Sequence, residues 1–296
     1  MHISVCITTF RRPASLKRLL QALQRQDTES LFTYSVVVID DDPSRSAEAA
    51  VDEIKREAPL LVDYYFEGGR NMAGARNRAI LCASGNLVAF IDDDEFPEST
   101  WLLNLYRTWR RYEVAGVLGP VLPHFEGAPP AWIMKSRVFE RPRHATGSVL
   151  RWQQTRTGNV LLNRVILKSD EDLFDTRFRI HGEDLDFFKR LMAKGHRFVW
   201  CDSAIVFETQ PPGRLRRRYH IRRALLRGSV AYTHAIAKAP TVLKSVIAVS
   251  VYIPALPLLH IAGHHVFMKY VIKTCDHIGK LLACCGYKVE RHIRQL

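Results

Sequence analysis

Leu87-Val88-Ala89-Phe90-Ile91-Asp92-Asp93-Asp94-Glu95-Phe96-Pro97 is the stretch whose reading decides the fold. Five apolar residues between Gly85 and Pro97 read as a buried strand. Its carboxyl end delivers four consecutive carboxylates to the rim of a sheet, and ligands of open α/β sheets sit just outside such strand ends. Carboxylates packed this closely resist ionising together. A hard divalent cation, Mn²⁺ or Mg²⁺, removes that penalty by taking one or two carboxylates plus substrate phosphate oxygens. The plainer reading of three adjacent aspartates is a solvated acidic turn. Their position at a strand end, rather than within a polar loop, favours the metal.

Strand and helix alternate on the amino-terminal side of this stretch. Ile3 to Ile7 reads as a strand, and Pro13 sits where a helix can start. Leu16, Leu19, Leu20 and Leu23 follow the i, i+3, i+4, i+7 stripe of an amphipathic helix. Tyr34 to Ile39 is a second strand, ending in Asp40-Asp41-Asp42-Pro43-Ser44, with a helix over Ala47, Ala50, Val51 and Ile54 after it. Val62 to Phe66 is a third strand, and a helix from about Ala73 to Ala83 leads into Leu87. This alternation predicts an α/β fold around a mostly parallel, doubly covered sheet. The acidic ends at residues 40–42 and 92–94 are expected on neighbouring strands. Downstream, Trp101 to Trp109 reads as a helix and Val114 to Leu118 as a strand. Regularity fades from Pro120 to about Thr155. Leu185, Phe188, Leu191 and Met192 place a helix behind Gly182-Glu183-Asp184, and residues 197–207 read as paired strands broken at Asp202-Ser203.

Two further constellations carry chemistry. Asn71 to Asn77 puts Arg76 in the first turns of a helix, where oriented amides and a guanidinium suit a diphosphate; alone, Arg76 reads more readily as a surface helix residue. Asp184 opens a helix whose dipole keeps a carboxylate ionised. Such an aspartate either takes a proton from an attacking hydroxyl or simply caps the helix. His181 is an unassigned neighbour of that position.

The 296 residues, 47% hydrophobic and 25% charged, describe globular protein with room for two domains. Lys and Arg outnumber Asp and Glu by 43 to 30, a net charge of +13, which favours anionic partners. The 6 cysteines form no CxxC pair or regular framework, as expected of a reducing, cytoplasmic compartment. Arg11 and Arg12 follow the first apolar run instead of preceding it, unlike a signal peptide.

The order Thr8-Thr9-Phe10-Arg11-Arg12-Pro13, Val37-Val38-Ile39-Asp40-Asp41-Asp42-Pro43-Ser44, Ala75-Arg76-Asn77, Ile91-Asp92-Asp93-Asp94 and Gly182-Glu183-Asp184 resembles the family 2 glycosyltransferases. Asp92 to Pro97, Gly119 to Pro123 and Thr157 to Leu162 carry a finer likeness to glucosyltransferases of succinoglycan-type exopolysaccharides. The resemblance implies the GT-A nucleotide-binding fold and a UDP-sugar donor, with UDP-glucose expected, held with Mn²⁺ or Mg²⁺. It implies that Thr9, Asp40, Asp41 and Asp42 hold uracil and ribose, and that Arg76 contacts the diphosphate. Asp92 and Asp94 become the metal pair, Asp93 and Glu183 join the substrate-binding set, and Asp184 becomes the catalytic base. The family's late histidine is absent; Glu208 stands in that region, either replacing it as a ligand or leaving the shell incomplete. A non-catalytic nucleotide-sugar binder of a polysaccharide assembly complex is the alternative.

These readings divide the chain into a catalytic domain over 1–210, a basic amphipathic helix over 211–240 and a hydrophobic membrane-associated segment over 241–296. Arg214, Arg216, Arg217, Arg218, Arg222, Arg223 and Arg227 suit an anionic membrane surface and a polyprenyl-diphosphate-linked saccharide acceptor. No nucleic-acid module is recognisable. Ser245 to Met268 is uncharged and flanked by basic residues on both sides, which places both flanks at the cytoplasmic face. Pro254 and Pro257 at its centre predict a bend with two arms too short to cross a bilayer.

Overall fold

The computed structural model describes residues 1–57, 60–167, 169, 173–178, 182–233, 235, 237–287 and 289, so His181 lies outside the described residues. The chain forms two compact units. One comprises Met1–Pro123 with Arg141–Thr209, and the other comprises His124–Glu140 with Gln210–Leu296.

The first unit is built on a seven-stranded sheet in the order β3-β2-β1-β4-β8-β6-β9. Its strands are β1 (His2–Thr9), β2 (Thr33–Asp40), β3 (Val62–Phe66), β4 (Leu87–Ile91), β6 (Gly116–Leu118), β8 (Asn159–Asn163) and β9 (Phe198–Trp200). β3, β2, β1 and β4 run parallel. β8 enters antiparallel between β4 and β6, and β6 and β9 are parallel. The expected α/β class and mostly parallel sheet are therefore present.

Period-2 alternation sends each strand's side chains into two cores. Ile3, Val5 and Ile7 of β1 and Leu87, Ala89 and Ile91 of β4 meet α1 (Pro13–Leu23), α2 (Glu48–Glu57) and α4 (Trp101–Tyr112). Cys6, Val88 and Phe90 face α3 (Met72–Cys82) and α6 (Glu183–Ala193) on the other side. Burial on both faces is why β4 reads as one unbroken apolar run.

Two expectations about the strands are corrected. β2 and β4 are not neighbours, because β1 lies between them. The chain first winds outward through β2 and β3, then crosses back to lay β4 on the opposite side of β1. The β1/β4 boundary is thus a topological switch point, where open sheets bind ligands. The apolar residues at 197–207 do not form a pair either. β9 joins the main sheet, whereas β10 (Val206–Thr209) joins a second sheet with β5 (Glu95–Pro97) and β7 (Val121–His124) in the order β5-β10-β7. The turn at Asp202 and Ser203 redirects the chain, and Asn159 pins it by donating to the carbonyls of Ala204 at 2.8 Å and Pro120 at 3.0 Å.

The second unit is helical: α5 (Ala131–Ser136), α7 (Arg217–Thr233), α8 (Lys238–Ile261) and α9 (His264–Cys284). α7 and α9 pack at backbone distance. A Cβ on Gly228 would meet the Asp276 carbonyl at 2.0 Å, and one on Gly279 would meet that of Leu225 at 2.2 Å. Asp276 neutralises this seam, accepting from Arg227 at 2.8 Å and Lys280 at 2.7 Å.

The expected division into two short arms at the prolines is corrected. α8 runs unbroken through Pro254 and Pro257. The prolines are three residues apart, so the carbonyls they leave unbonded, at Ser250 and Ile253, share one helix face and the remaining ladder continues. The chain reverses instead at Ala262 and Gly263, where Gly263 adopts φ 130°. At 24 residues α8 spans roughly 36 Å, longer than a hydrocarbon core of about 30 Å. Only 6% of its apolar window is buried.

Candidate active site

At the switch point the ends of β1 and β4 are tied directly. The Thr9 hydroxyl donates to Asp93 Oδ2 at 2.8 Å. Arg12, one residue before the first turn of α1, donates to Asp93 Oδ1 at 2.8 Å and pairs with Asp94 Oδ2 at 3.1 Å. Burial raises the pKa of Asp93, and Arg12 opposes that rise. Beside this tie lies a cavity of about 210 Å³ lined by Thr9, Phe10, Arg12, Asp41, Met72 and Asp93.

The aspartates that end β2 have three different surroundings. Asp40 is fully buried and accepts from Asp42 N at 3.0 Å, Ala47 N at 2.9 Å and the Tyr64 hydroxyl at 3.0 Å. It therefore fastens the turn that enters α2. Asp42 accepts from Ser44 and from Arg11 Nε at 3.2 Å. The Ser44 hydroxyl first, then Ser46 and Arg11, hold its pKa down at about 2. Among the three, Asp41 lines the cavity, accepting from Arg70 N at 2.8 Å while burial raises its pKa.

A second group of carboxylates forms a corner at the end of β4. Glu95 is 3% exposed and its Oε2 accepts from Asp92 N at 3.0 Å. Opposite it in the β5–β10 ladder stands Glu208, which pairs with Arg141 at 2.7 Å. Desolvation pushes Asp92 up to about 6, with Arg76 opposing and Asp94, Asp93 and Glu208 adding. The side chain of Asp92 nevertheless keeps 43% of its accessibility, so it sits in a crowded recess still open to solvent. Burial, then Asp92 and Glu208, hold the Glu95 pKa well above the usual carboxylate range. Gly158 makes this crowding feasible: a Cβ there would lie 2.7 Å from Glu95 Oε1 and 3.0 Å from Asp92 Oδ2.

This donor set fits a hard divalent cation. Carboxylates that burial and mutual repulsion drive toward protonation are stabilised as anions by a metal. Among the described residues no three metal-ligating side chains converge as a ready cage. That is compatible with a magnesium-type site, which takes one or two carboxylates and completes its shell with phosphate oxygens and water.

Arg76 joins this corner to α6. Arg76 is 6% exposed, and its guanidinium donates to Glu183 Oε1 at 2.6 Å and lies 3.5 Å from Asp92 Oδ1. It also lies over the Phe174 ring, 5.6 Å from the centroid. α6 begins at Glu183 after Gly182, whose φ of 95° is left-handed and suits glycine. Asp184 follows, half-buried, with Oδ1 accepting from Leu185 N at 2.8 Å, and its charge acts on Arg76.

The structure thus gathers Thr9, Asp41, Arg76, Asp92, Asp93, Asp94, Glu183 and Asp184 around one end of the sheet, while Asp40 and Asp42 serve the β2–α2 turn. Sequence reasoning did not single out Arg12, Arg141 or Gly158, and named Glu95 only as one of four strand-end carboxylates. Arg12 and Gly158 stand inside the quoted motifs. Arg141 lies in the irregular loop, with no local signal.

The family model for glycosyl transferase family 2 matches residues 4–174. The succinoglycan biosynthesis protein ExoM of Rhizobium meliloti is 32% identical over 219 residues, 72% of this chain and 69% of that protein. The GalNAc(5)-diNAcBac-PP-undecaprenol beta-1,3-glucosyltransferase of Campylobacter jejuni is 28% identical over 96 residues, 31% of this chain and 29% of that protein. Among solved structures, S. aureus TarS 1–349 in complex with UDP-GlcNAc superposes with a TM-score of 0.56 at 16% identity, covering 100% of this chain and 92% of that one. At that identity the likeness establishes the fold.

Proposed function

The chain belongs to glycosyl transferase family 2, and on that premise we propose that it transfers glucose, with inversion, from UDP-glucose to a polyprenyl-diphosphate-linked saccharide in exopolysaccharide assembly. The observation that carries this reading is the Asp92–Arg76–Glu183 chain, which joins the carboxylate corner to the helix bearing Asp184. Thr9 and Asp41 line the nucleoside cavity. Asp184 takes the proton of the acceptor hydroxyl as its oxygen attacks the anomeric carbon, and UDP departs from the opposite face. Asp92 and Asp94 hold Mn²⁺ or Mg²⁺, whose role when bound is to offset charge on the diphosphate. Arg12, already paired with Asp93 and Asp94, offsets part of the negative charge gathered there. Arg76 and Glu183 orient the base helix.

The relatives' printed names support the acceptor class, and the UDP-GlcNAc complex of a structural neighbour supports the donor class. The long, exposed apolar α8 and the arginines of α7 support work at a membrane, on its cytoplasmic face.

Asp184→Asn tests the assignment, because it keeps shape but removes the proton acceptor. Transfer falls by about 10² to 10⁴ while UDP-glucose binding, read by titration calorimetry, is retained. Loss of donor binding with unchanged turnover would make Asp184 a binding residue.

A further inference from the structure

The helical unit holds a second polar cavity that the transfer reaction does not use. It measures about 460 Å³ and is lined by Lys244, Ser245 and Tyr252 of α8 and by Lys273, His277 and Lys280 of α9. Three ammonium groups, an imidazole and three hydroxyls, the third from Thr241 of α8, therefore face one space between antiparallel helices. Among the described residues Lys244 has no ion-pair partner. Lys273 lies 4.8 Å from the centroid of the Tyr270 ring, and Lys280 is shared with Asp276 at 2.7 Å.

The helices hold this arrangement firmly. Ser245 is 1% exposed, and its hydroxyl donates to the Thr241 carbonyl at 2.8 Å. His277 Nδ1 lies 3.1 Å from Ser245 Oγ, so the ring carries its hydrogen on Nδ1 to complete that contact. Burial, then Lys280 and Lys244, lower the His277 pKa, with Asp276 opposing. Tyr252 packs edge-on against Tyr270 at 5.3 Å and against His277 at 6.1 Å. Cations gathered at this density repel one another, and a compact anion relieves the repulsion. Lysine is a point-charge phosphate binder, and hydroxyls add directional hydrogen bonds.

Position along the hairpin narrows the ligand. The contacts of residue 245 with 277 and of 252 with 270 set the cavity on the side away from the turn at Ala262 and Gly263. Alongside the cavity α8 exposes Val246 and Val251, and between it and the turn Ile253, Leu258 and Ile261. A polar cavity on the side of α8 toward α9 thus adjoins an apolar surface on its exposed side, which suits a molecule with a phosphate head and a hydrocarbon tail.

We propose that the Lys244–Lys273–Lys280 cavity is a binding site for the phosphate head of a lipid, with its chain laid along the exposed face of α8. This rests on the membrane-acceptor reading above and adds to it a lipid site separate from the donor site. The same chemistry comes from two sources, a polyprenyl phosphate or a membrane phospholipid.

The test uses the full chain in neutral detergent, titrated with farnesyl phosphate, farnesol and a short-chain phosphatidylglycerol and followed by calorimetry. Farnesyl phosphate binds, farnesol does not, and Lys244→Gln with Lys273→Gln weakens binding by about tenfold or more. Lys55→Gln with Lys135→Gln, the same charge loss elsewhere, leaves it intact. Equal binding of phosphatidylglycerol identifies bulk phospholipid as the source; preference for the prenyl phosphate identifies the acceptor class. Equal binding of farnesol, or unchanged binding in the lysine pair variant, overturns the site. UDP-glucose binding measured in the same variants shows that the fold is intact and keeps this outcome distinct from failure of the transferase reading.

Discussion

Replacing Arg76 by methionine removes a guanidinium whose side chain is 7% exposed and which holds Glu183, also 7% exposed, at 2.6 Å. Methionine fills similar space but leaves two carboxylates, Glu183 and Asp92, without their shared cation. Among the described residues Glu183 Oε2 has no hydrogen-bond partner, so none of them stands ready to take over from Arg76. A pair of charges about 4 Å apart at an effective dielectric constant near 20 interacts by about 4 kcal/mol. Breaking a buried pair from one side costs about 3–5 kcal/mol, a large part of a domain stability of about 5–15 kcal/mol. Urea unfolding followed by tryptophan fluorescence should show that loss in Arg76→Met. Adding Glu183→Met removes the stranded charge and should restore stability to within about 1–2 kcal/mol of the parent, since apolar replacement of both partners is close to neutral. Transfer should stay impaired in the double variant, because Asp92 and α6 are no longer joined. An Arg76→Met variant that loses less than about 1 kcal/mol, with no recovery in the double variant, would refute the tie and leave Arg76 as a donor contact.

Asp94→Ala and addition of EDTA to the parent protein should each weaken UDP-glucose binding by roughly tenfold or more; unchanged calorimetric affinity under both removes the metal from the reading. The Asp92 pKa of about 6 lies above its ordinary value, so the carboxylate takes a proton as pH falls through that value. Cation-dependent donor affinity should therefore be full above about pH 7 and fall below pH 6, a dependence that Asp92→Asn abolishes. Gly158→Ala places a methyl 2.7 Å from Glu95 Oε1 and 3.0 Å from Asp92 Oδ2. It should cost about 1–3 kcal/mol of stability and reduce donor binding further, and a parent-like Tm and affinity would show that the corner tolerates displacement.

The sequence by itself determined the parts whose cause is local. Apolar runs and 3.6-residue stripes placed β1 to β4 and α1 to α4, because a strand covered on both faces or a half-buried helix writes its burial into consecutive residues. The strand-end carboxylates and the Gly182-Glu183-Asp184 helix start were legible for the same reason. Strand order was not, because insertion of β1 between β2 and β4 depends on the direction of each crossover, which no window of residues records. Residues 198–200 and 206–209 are equally strand-like, and only tertiary pairing sends them to different sheets. Asp40, Asp41 and Asp42 are the same letter three times. Their division between turn and cavity depends on where Ala47, Tyr64 and Arg70 lie in space. Arg76 and Glu183 are 107 positions apart, and Glu95 faces Glu208 across the whole second half of the catalytic unit. Pairings of that separation arise from packing, as does the course of α8 through its two prolines, where the neighbouring helix and the surviving ladder outweigh a local breaking signal.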